Sequence, residues 1–236
     1  MPDGIFKYEH PYVCTDAVIF TINTQESDSY RKLSDVNLRI LLYHRPKEPY
    51  QNKWCLPGGF LNIDEMPENN IRRKILEKSH VDQCYLEQLY TFCGVGRDPR
   101  ARVISLSYLG LMNEDESKKF EHDSTWFTLQ FQNQQIKISQ DDGLELSEQD
   151  FGFDHYEIMN KALERLQSKI IYSDIIFHLL PQEFTLTQLQ SVHETILGKK
   201  EQVANFRRKI GELVQETDRF TSDKGHRPAR LFQKKC

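Results

Sequence analysis

Residues 58–81 decide the fold of this chain and read GGFLNIDEMPENNIRRKILEKSHV. Two glycines lead to Glu65, and a helix is expected from about Pro67. Proline suits a first helical turn, and Glu68 favours the positive end of the helix dipole. On a helix, positions 74, 77 and 78 are separated by three and four residues, so they share one face. That face carries one carboxylate between two ammonium groups.

The stretch resembles the Nudix box, in which a glycine, five residues, a glutamate and seven residues precede Arg-Glu-apolar-x-Glu-Glu-x-Gly-apolar. The spacing is kept, and the matching residues are Gly59, Glu65, Arg73, Ile75, Glu77 and Val81. Lys74 and Lys78 stand in place of glutamates, and His80 stands in place of glycine. In an active Nudix enzyme this face holds divalent cations, which require oxygen ligands. We therefore expect no metal, no catalytic residue and negligible hydrolase activity.

The composition is that of an ordinary globular protein. The 236 residues are 38% apolar and 28% charged, enough for one large or two small domains. No apolar run approaches a membrane span, and the first six residues do not resemble a signal peptide. The five cysteines are scattered and never spaced as CxxC. This pattern favours reduced thiols in the cytoplasm over disulfides or a zinc site, and no cofactor is expected.

Positive charge is concentrated towards the C-terminal end. Residues 1–168 hold 19 Lys and Arg against 27 Asp and Glu, a net charge of −8. Residues 169–236 hold 12 against 8, a net charge of +4. An acidic body with a basic C-terminal unit indicates that this unit alone meets a polyanion. On composition alone, an unevenly charged solvated surface explains the split equally well.

The N-terminal unit has the pattern of a mixed sheet with few helices. Runs rich in branched and aromatic residues predict strands over 13–21, 38–43, 85–92, 102–112 and 124–129. Residues 25–36 are polar and are expected to form a hairpin loop. Such a pattern fits an α/β or α+β sandwich of about 150 residues. We place this unit at residues 1–153.

The C-terminal unit, residues 154–236, is helical at first. One apolar stripe predicts a helix that bridges the two units: Ile158, Ala162, Leu163, Leu166 and Ile170. A second helix follows, with Thr185 as its N-cap and Gly198 just past its end. A third is expected over 201–214, and a hairpin with a basic tip around 222–225 comes after it. Two helices joined by a glycine-containing turn, followed by such a hairpin, predict a winged helix-turn-helix.

The third helix separates into two faces when it is projected at about 100° per residue. Its apolar residues are expected to face the core: Val203, Phe206, Ile210 and Leu213. Asn and Arg side chains on the outer face can pair with adenine and guanine edges, and flanking cations reach phosphates. The expected DNA-binding residues are Thr185, Thr187, Asn205, Arg207, Arg208, Lys209, Arg227 and Arg230. Taken alone, the basic run is more typical of a solvated helix face, and the preceding helix, the basic hairpin and the charge split shift the interpretation to DNA binding.

A second basic cluster lies at residues 97–102. Three arginines within six residues, beside a box that has lost carboxylates, favour diphosphate binding through charge-assisted hydrogen bonds. Trp54 and Phe60 are suited to stacking on a base. The expected ligand-binding residues are Arg45, Trp54, Gly58, Gly59, Phe60, Arg97, Asp98 and Arg102. The alternatives are an exposed basic loop and, for Trp54, an ordinary core position.

Several segments together resemble the Nudix-related transcriptional regulators. They are the box, Phe153-Asp154-His155, Phe184-Thr185-Leu186, Asn205-Phe206-Arg207-Arg208-Lys209 and Arg227-Pro228-Ala229-Arg230. The resemblance covers residues 10–232 approximately and implies a Nudix-like α/β/α sandwich followed by a winged helix-turn-helix. It also implies a homodimeric bacterial repressor, not attached to a membrane, that binds palindromic DNA. Its implied effector is ADP-ribose, a related NAD metabolite or, in some branches, a sugar.

Three other functions stay open at this point. An active Nudix pyrophosphatase would draw its metal ligands from Glu65 and Glu77, together with Glu114 or Glu121. A sugar-sensing regulator of carbohydrate genes would keep the same architecture with another effector. A structural protein would use the C-terminal unit to bind another protein.

Overall fold

The computed structural model describes residues 9–25, 35–79, 83–117, 124–132, 135–221 and 228–235. The strands are β1 (Tyr12–Gln25), β2 (Asp35–His44), β3 (Trp54–Cys55), β4 (Gly58–Phe60), β5 (Tyr85–Phe92), β6 (Val103–Leu111), β7 (Ser124–Gln132), β8 (Gln135–Ser139), β9 (Glu145–Leu146), β10 (Val214–Phe220) and β11 (Arg230–Lys234). The α-helices are α1 (Pro67–Ser79), α2 (Glu114–Ser117), α3 (His155–Lys169), α4 (Leu186–Leu197) and α5 (Val203–Ile210). Short 3-10 helices span Glu148–Asp150 and Ile175–Leu179.

One mixed sheet forms the N-terminal unit. Its strand order is β5-β6-β1-β2-β7-β8-β9, with β3 paired to β2 and β4 paired to β1. The long strand β1 runs parallel to β6, and its second half pairs antiparallel with β2. Its first half pairs instead with β4, where Cys14 is opposite Phe60 and Asp16 is opposite Gly58. The box strand therefore lies directly beside the start of the central strand.

The sheet is buried on both faces. Successive residues of a strand point to opposite faces, and β1 obeys this rule. Ala17 and Ile19 pack with Ile71 and Ile75 of α1 on one face. Residues of β1 on the other face share a core with the apolar sides of α3 and α4: Val18, Phe20 and Ile22. The predicted α/β/α sandwich is confirmed, as are the five strands and the helix from Pro67, with ends shifted by a few residues.

The winged helix-turn-helix is also confirmed. The Thr185 hydroxyl oxygen accepts a hydrogen bond from the Gln188 backbone N–H at 3.1 Å, and the Gln188 side-chain oxygen accepts one from the Thr185 N–H at 2.8 Å. This reciprocal cap fixes the start of α4. The hairpin β10–β11 is antiparallel, and Phe184 bonds to Phe232 through both backbone groups. The expected hairpin tip at 222–225 lies outside the described residues.

Helix α5 is shorter than the sequence predicts. It spans Val203–Ile210, because a turn follows at residues 211–213 and strand β10 begins at Val214. Of the four apolar residues expected to face the core, Phe206 and Ile210 are buried, whereas Val203 is 51% exposed and Leu213 is 38% exposed. Val203 is the first residue of α5, and Leu213 lies in the turn after the helix, so neither is held over the core by the helix. The prediction for Val203 and Leu213 was wrong.

Two other segments refine the predictions. Strands β8 and β9 extend the sheet beyond β7, and sequence reasoning did not identify them. Gln25 belongs to β1 and Asp35 to β2, so the expected loop is shorter than 25–36, and its middle is not among the described residues. None of the described helices is both long enough and apolar enough to span a bilayer.

Helix α4 joins the two units by packing against the start of β2. The Thr195 hydroxyl donates a hydrogen bond to the Val36 carbonyl oxygen at 3.1 Å. The helix ends at Gly198, which has a φ of 65° and lies against Phe131 of β7. The first helix of the winged unit is thus fixed directly to the sheet.

Gly198→Ala is expected to lower the free energy of unfolding by about 1–2 kcal/mol, because L-residues are strained in the left-handed region. Its Cβ would also lie 3.1 Å from the Phe131 side chain. Urea denaturation followed by circular dichroism measures the loss. Gly94→Ala is the control, since a Cβ there meets no atom of the described chain within 4 Å. Equal losses in the two variants would contradict the strain at Gly198.

Candidate functional site

A cavity of about 170 Å³ opens beside the first half of β1, and we name it the box pocket. Its walls come from β1, β4, the 97–100 loop and the residues before α3. Six of the eight predicted ligand-binding residues line it: Arg45, Gly58, Gly59, Phe60, Arg97 and Asp98. The pairing of β1 with β4 places the two glycines at the rim of the pocket.

A buried ion cluster forms one wall of the box pocket. The Arg97 guanidinium donates to both carboxylate oxygens of Asp154, at 2.8 Å and 2.6 Å, and lies 3.4 Å from Asp16. Burial alone would lower the pKa of Arg97, but the hydrogen bonds to Asp154 and the charges of Asp16 and Asp154 raise it above its usual value. A side chain only 4% exposed and held between two carboxylates has a structural task. Its predicted role as a diphosphate ligand stays a prediction, and the guanidinium already has two carboxylate partners.

His155 and Cys14 complete this wall as uncharged groups. The His155 Nδ1 accepts a hydrogen bond from the Leu56 backbone N–H at 2.9 Å, and its Nε2 lies 3.7 Å from Asp16. Burial lowers the pKa of His155 below its usual value, so the ring is neutral at pH 7. Burial likewise raises the pKa of the Cys14 thiol. Asp16 is further held by the Ser105 hydroxyl, which donates to it at 2.6 Å.

Aromatic rings and two further arginines form the mouth of the pocket. The Arg45 and Arg100 guanidiniums lie 5.0 Å and 5.7 Å from the Phe153 ring centre, and Arg100 lies 5.2 Å from that of Phe60. Arg100 also pairs with Asp98 at 2.6 Å but remains 44% exposed. Phe153 has a φ of 55°, which is uncommon for a bulky residue. The mouth therefore combines stacking surfaces with accessible positive charge.

The structure places Trp54 and Arg102 outside the box pocket. Trp54 packs edge-on against Phe127 at 4.7 Å and His44 at 5.1 Å, which is the core position considered as its alternative. Arg102 is exposed and donates a hydrogen bond to the Gly94 carbonyl oxygen at 2.8 Å. Arg100 lies in the turn before β6 and faces Phe60 and Phe153, whereas Arg102 contacts Gly94, so the two arginines do not reach the same surface.

Sequence reasoning missed several lining residues: Cys14, Asp16, Tyr43, Arg100, Phe153 and His155. Asp16 could have been identified from the sequence, because a carboxylate inside an apolar strand requires a buried partner. Arg100 lay within the basic cluster and was passed over for Arg102. Phe153 and His155 reach the pocket only through the tertiary fold.

The box residues do not fit a divalent metal. Glu65 accepts from Arg73 at 2.8 Å and 2.7 Å and from the Asn70 and Asn62 amides, each at 2.9 Å. The hydrogen bonds from Arg73 and Asn70 lower the pKa of Glu65 to about 2. Glu77 is held by Arg73 at 2.7 Å and Lys74 at 2.8 Å. Among the described residues, no three His, Cys, Asp or Glu side chains come together as a metal site.

Of the two additional ligands considered for a pyrophosphatase, Glu114 lies far from the box pocket. Glu114 accepts a hydrogen bond from the Thr24 backbone N–H. Along β1, Thr24 is about 25 Å from Asp16, at about 3.3 Å per residue. Glu121 lies outside the described residues. The cysteines at 14, 55, 84 and 93 are free thiols, as expected.

The outer face of α5 carries a basic surface formed by Asn205, Arg207 and Arg208, which we name the α5 surface. All three side chains are exposed. In the described part of the chain, no carboxylate is within ion-pair distance of either arginine. Two unneutralised guanidiniums on an exposed helix are available to an external anion.

The other predicted DNA-binding residues differ in whether their side chains already have a partner within the protein. Lys209 forms an ion pair with Glu201, and Arg230 forms one with Glu216 on the neighbouring strand. Thr185 caps α4, and Thr187 is exposed in its first turn. Arg227 lies outside the described residues. Lys209 and Arg230 must exchange a carboxylate for a phosphate before they can contact DNA.

Comparison with known proteins identifies the family. A model of the NrtR DNA-binding winged helix domain matches residues 176–233, and a model of the NUDIX domain matches residues 32–142. A curated relative from Acinetobacter baylyi, named ADPR responsive transcriptional repressor NtrR, is 33% identical over 236 residues. The alignment covers 96% of this chain and 83% of the relative. The chain belongs to the NrtR family.

Two solved structures resemble the NrtR-type chain over most of its length. Shewanella oneidensis NrtR complexed with a 27mer DNA is 32% identical, with a TM-score of 0.73 and coverage of 94% of this chain and 93% of that one. A MutT/nudix family protein from Enterococcus faecalis is 27% identical, with a TM-score of 0.77 and coverage of 97% and 88%. The resemblance found from the sequence motifs is therefore confirmed. The domain boundary at residue 153 and the individual site residues stay predictions.

Asp154→Asn is expected to lower the free energy of unfolding by roughly 3 kcal/mol, because it removes one partner of a buried ion pair. This loss of stability is at the low end of the range for broken buried ion pairs, because Asp16 still contacts Arg97. Urea denaturation measures it. Asp141→Asn is the control, since Asp141 is 73% exposed in its pair with Arg39 and should contribute less than about 1 kcal/mol. Similar losses in both variants would show that the cluster does not stabilise the fold.

Proposed function

We propose that the protein is a transcriptional repressor that binds operator DNA through its winged helix and responds to ADP-ribose bound in the box pocket. The observation that carries this proposal is the combination of two sites in one chain. One is an exposed, unneutralised α5 surface on a winged helix. The other is a pocket lined by arginines, next to a box whose carboxylates are unsuited to metal. The Acinetobacter relative, named as an ADP-ribose-responsive repressor, matches the chain across both sites.

On the DNA side, we propose that α5 lies in the major groove. Arg208 and Asn205 have the side-chain types that pair bidentately with guanine and adenine. Arg207, Lys209, Thr185, Thr187 and the wing arginines 227 and 230 would contact phosphates, which orient the protein without reading sequence. Because one unit carries a net charge of only +4, its affinity alone is modest and sensitive to salt. We therefore propose a homodimer on a pseudo-palindromic operator of roughly 20 base pairs.

Arg208→Ala is expected to relax base preference at one position in each half-site, at a cost of about 1–3 kcal/mol for each lost bidentate pair. Lys209→Ala should weaken binding to operator and to scrambled DNA equally. It should also reduce the slope of log K against log salt concentration by about one. The operator is first selected from a pool of random duplexes. Fluorescence anisotropy then compares operator and scrambled DNA at several salt concentrations.

Lys161→Ala is the control for DNA binding, since Lys161 is an exposed lysine on α3, outside the winged unit. It should leave both affinities unchanged. If Arg208→Ala loses the same affinity for operator and for scrambled DNA, Arg208 contacts phosphate and not a base. If no α5 variant differs from the control, the C-terminal unit does not bind DNA and the structural-protein alternative is favoured.

On the effector side, we propose that Arg100 and Arg45 contact the diphosphate, while Phe60 and Phe153 stack on the base or ribose. Gly58 and Gly59 would allow the ligand to approach the backbone of β4. Arg97 and Asp98 would hold the wall and the loop in place, because each already has a charged partner. This assignment replaces Arg102 with Arg100 as the principal arginine of the loop.

Arg100→Ala is expected to weaken ADP-ribose binding by about ten- to a hundredfold, the value of one charge-assisted hydrogen bond to a phosphate. Arg102→Ala is the matched control, because it removes a neighbouring guanidinium that lies outside the pocket. Isothermal titration calorimetry in EDTA measures both. Equal affinities in the two variants would exclude the assignment of Arg100. Heat with a pentose but none with ADP-ribose would favour the sugar-sensing alternative.

The proposal includes negligible Nudix hydrolase activity. Metal-assisted hydrolysis requires carboxylates that are free to hold the cation and a bound water. Here the two remaining box carboxylates are neutralised by Arg73 and Lys74. The box has therefore become a structural element of a binding domain.

A further inference from the structure

Lys74 lies against the glycine strand at the rim of the box pocket. An ideal Cβ at Gly59 would lie 2.7 Å from the Lys74 Cε and 3.5 Å from its Nζ. Because Gly59 has no side chain, the lysine can cross β4 at close range. Its ammonium group pairs with Glu77 at 2.8 Å, and the Lys74 side chain is 21% exposed. A positive charge is therefore held beside the glycines that line the cavity.

Lys78 lies one helical turn further along the same face of α1. Its Nζ is 4.5 Å from the ring centre of Tyr43, a residue that also lines the box pocket. The Tyr43 hydroxyl in turn accepts a hydrogen bond from Arg45 at 3.4 Å. Each lysine thus approaches a residue that lines the pocket, Gly59 for Lys74 and Tyr43 for Lys78, without itself lining the cavity.

The charge of this face matches that of a metal-loaded box. Glutamates at positions 74, 77 and 78 would carry −3, and two divalent cations would bring the total to +1. Lys74, Glu77 and Lys78 carry +1 with no ion present. A diphosphate approaching β4 would meet the same net charge in both cases.

We infer that Lys74 and Lys78 take the place of the divalent cations and bind the diphosphate of the effector directly. This inference rests on the proposed function, since it concerns ligand binding in the same pocket. The two substitutions would then have a positive role beyond the loss of catalysis. An ammonium donates up to three hydrogen bonds to phosphate oxygens and requires no metal for binding.

The test is calorimetric titration of the full chain with ADP-ribose, in EDTA and in magnesium chloride. Wild-type affinity should be the same in both buffers. Lys74→Gln/Lys78→Gln should bind about ten- to a hundredfold more weakly in both, and Lys74→Arg/Lys78→Arg should retain most of the affinity because it keeps the charge. Lys161→Gln, on the solvent side of α3, should bind like wild type. Thermal unfolding of each variant verifies that it is folded.

Charge reversal supplies a second measurement that does not depend on catalysis. Lys74→Glu/Lys78→Glu should bind no ADP-ribose in EDTA and should recover binding when manganese is added. Electron paramagnetic resonance of manganese alone should detect bound ion in this variant and none in wild type. Manganese binding by wild type would overturn the inference.

The outcomes separate the inference from the proposed function. If wild type binds ADP-ribose in EDTA and the glutamine variant binds equally well, the lysines are not ligands but the sensor function stands. If wild type binds only with magnesium, the inference is wrong and a metal is required. If wild type binds ADP-ribose in neither buffer, the proposed effector fails, and the inference fails with it.

Discussion

The Arg97 guanidinium, buried between Asp16 and Asp154, is the interaction on which the arrangement of this molecule depends. It joins the central strand β1 to the first turn of α3 across a water-poor interior, where an unpaired charge would be very costly. Because β1 also positions β4, the same contact fixes the box pocket. Because α3 leads through the Ile175–Leu179 turn to α4, it also fixes the course of the chain towards the winged helix.

The charged residues of the box hold one another in place. Arg73 bridges Glu65 and Glu77, and Glu65 also receives two amide hydrogen bonds. These contacts tie the loop before α1 to the helix itself. Each carboxylate oxygen of Glu65 and Glu77 therefore already accepts at least one hydrogen bond within the protein.

Much of the fold could be predicted from the sequence, because local physics determined it. The apolar run of β1, the proline and glutamate at the start of α1, and the reciprocal cap of Thr185 and Gln188 are all readable from adjacent residues. The residues that line the box pocket were harder to predict from the sequence. Arg97 and Arg102 look equivalent in the sequence, yet one is buried in an ion cluster and the other is exposed. Only the tertiary fold brings Phe153 and His155 to Asp16, and only the adjoining strand β10 explains why α5 ends at Ile210.

Phe153 lies between the two arginines at the pocket mouth and directly precedes Asp154, the N-cap of α3. Its left-handed backbone costs about 1–3 kcal/mol, which the surrounding contacts must offset. Helix α3 is 15 residues long, or about 22 Å at 1.5 Å per residue. A tilt of about 5° at its first turn displaces its last turn by about 2 Å over that length. The Phe153 ring is thus next to the N-terminal end of α3, whereas the C-terminal end of this helix contacts α4 of the winged unit.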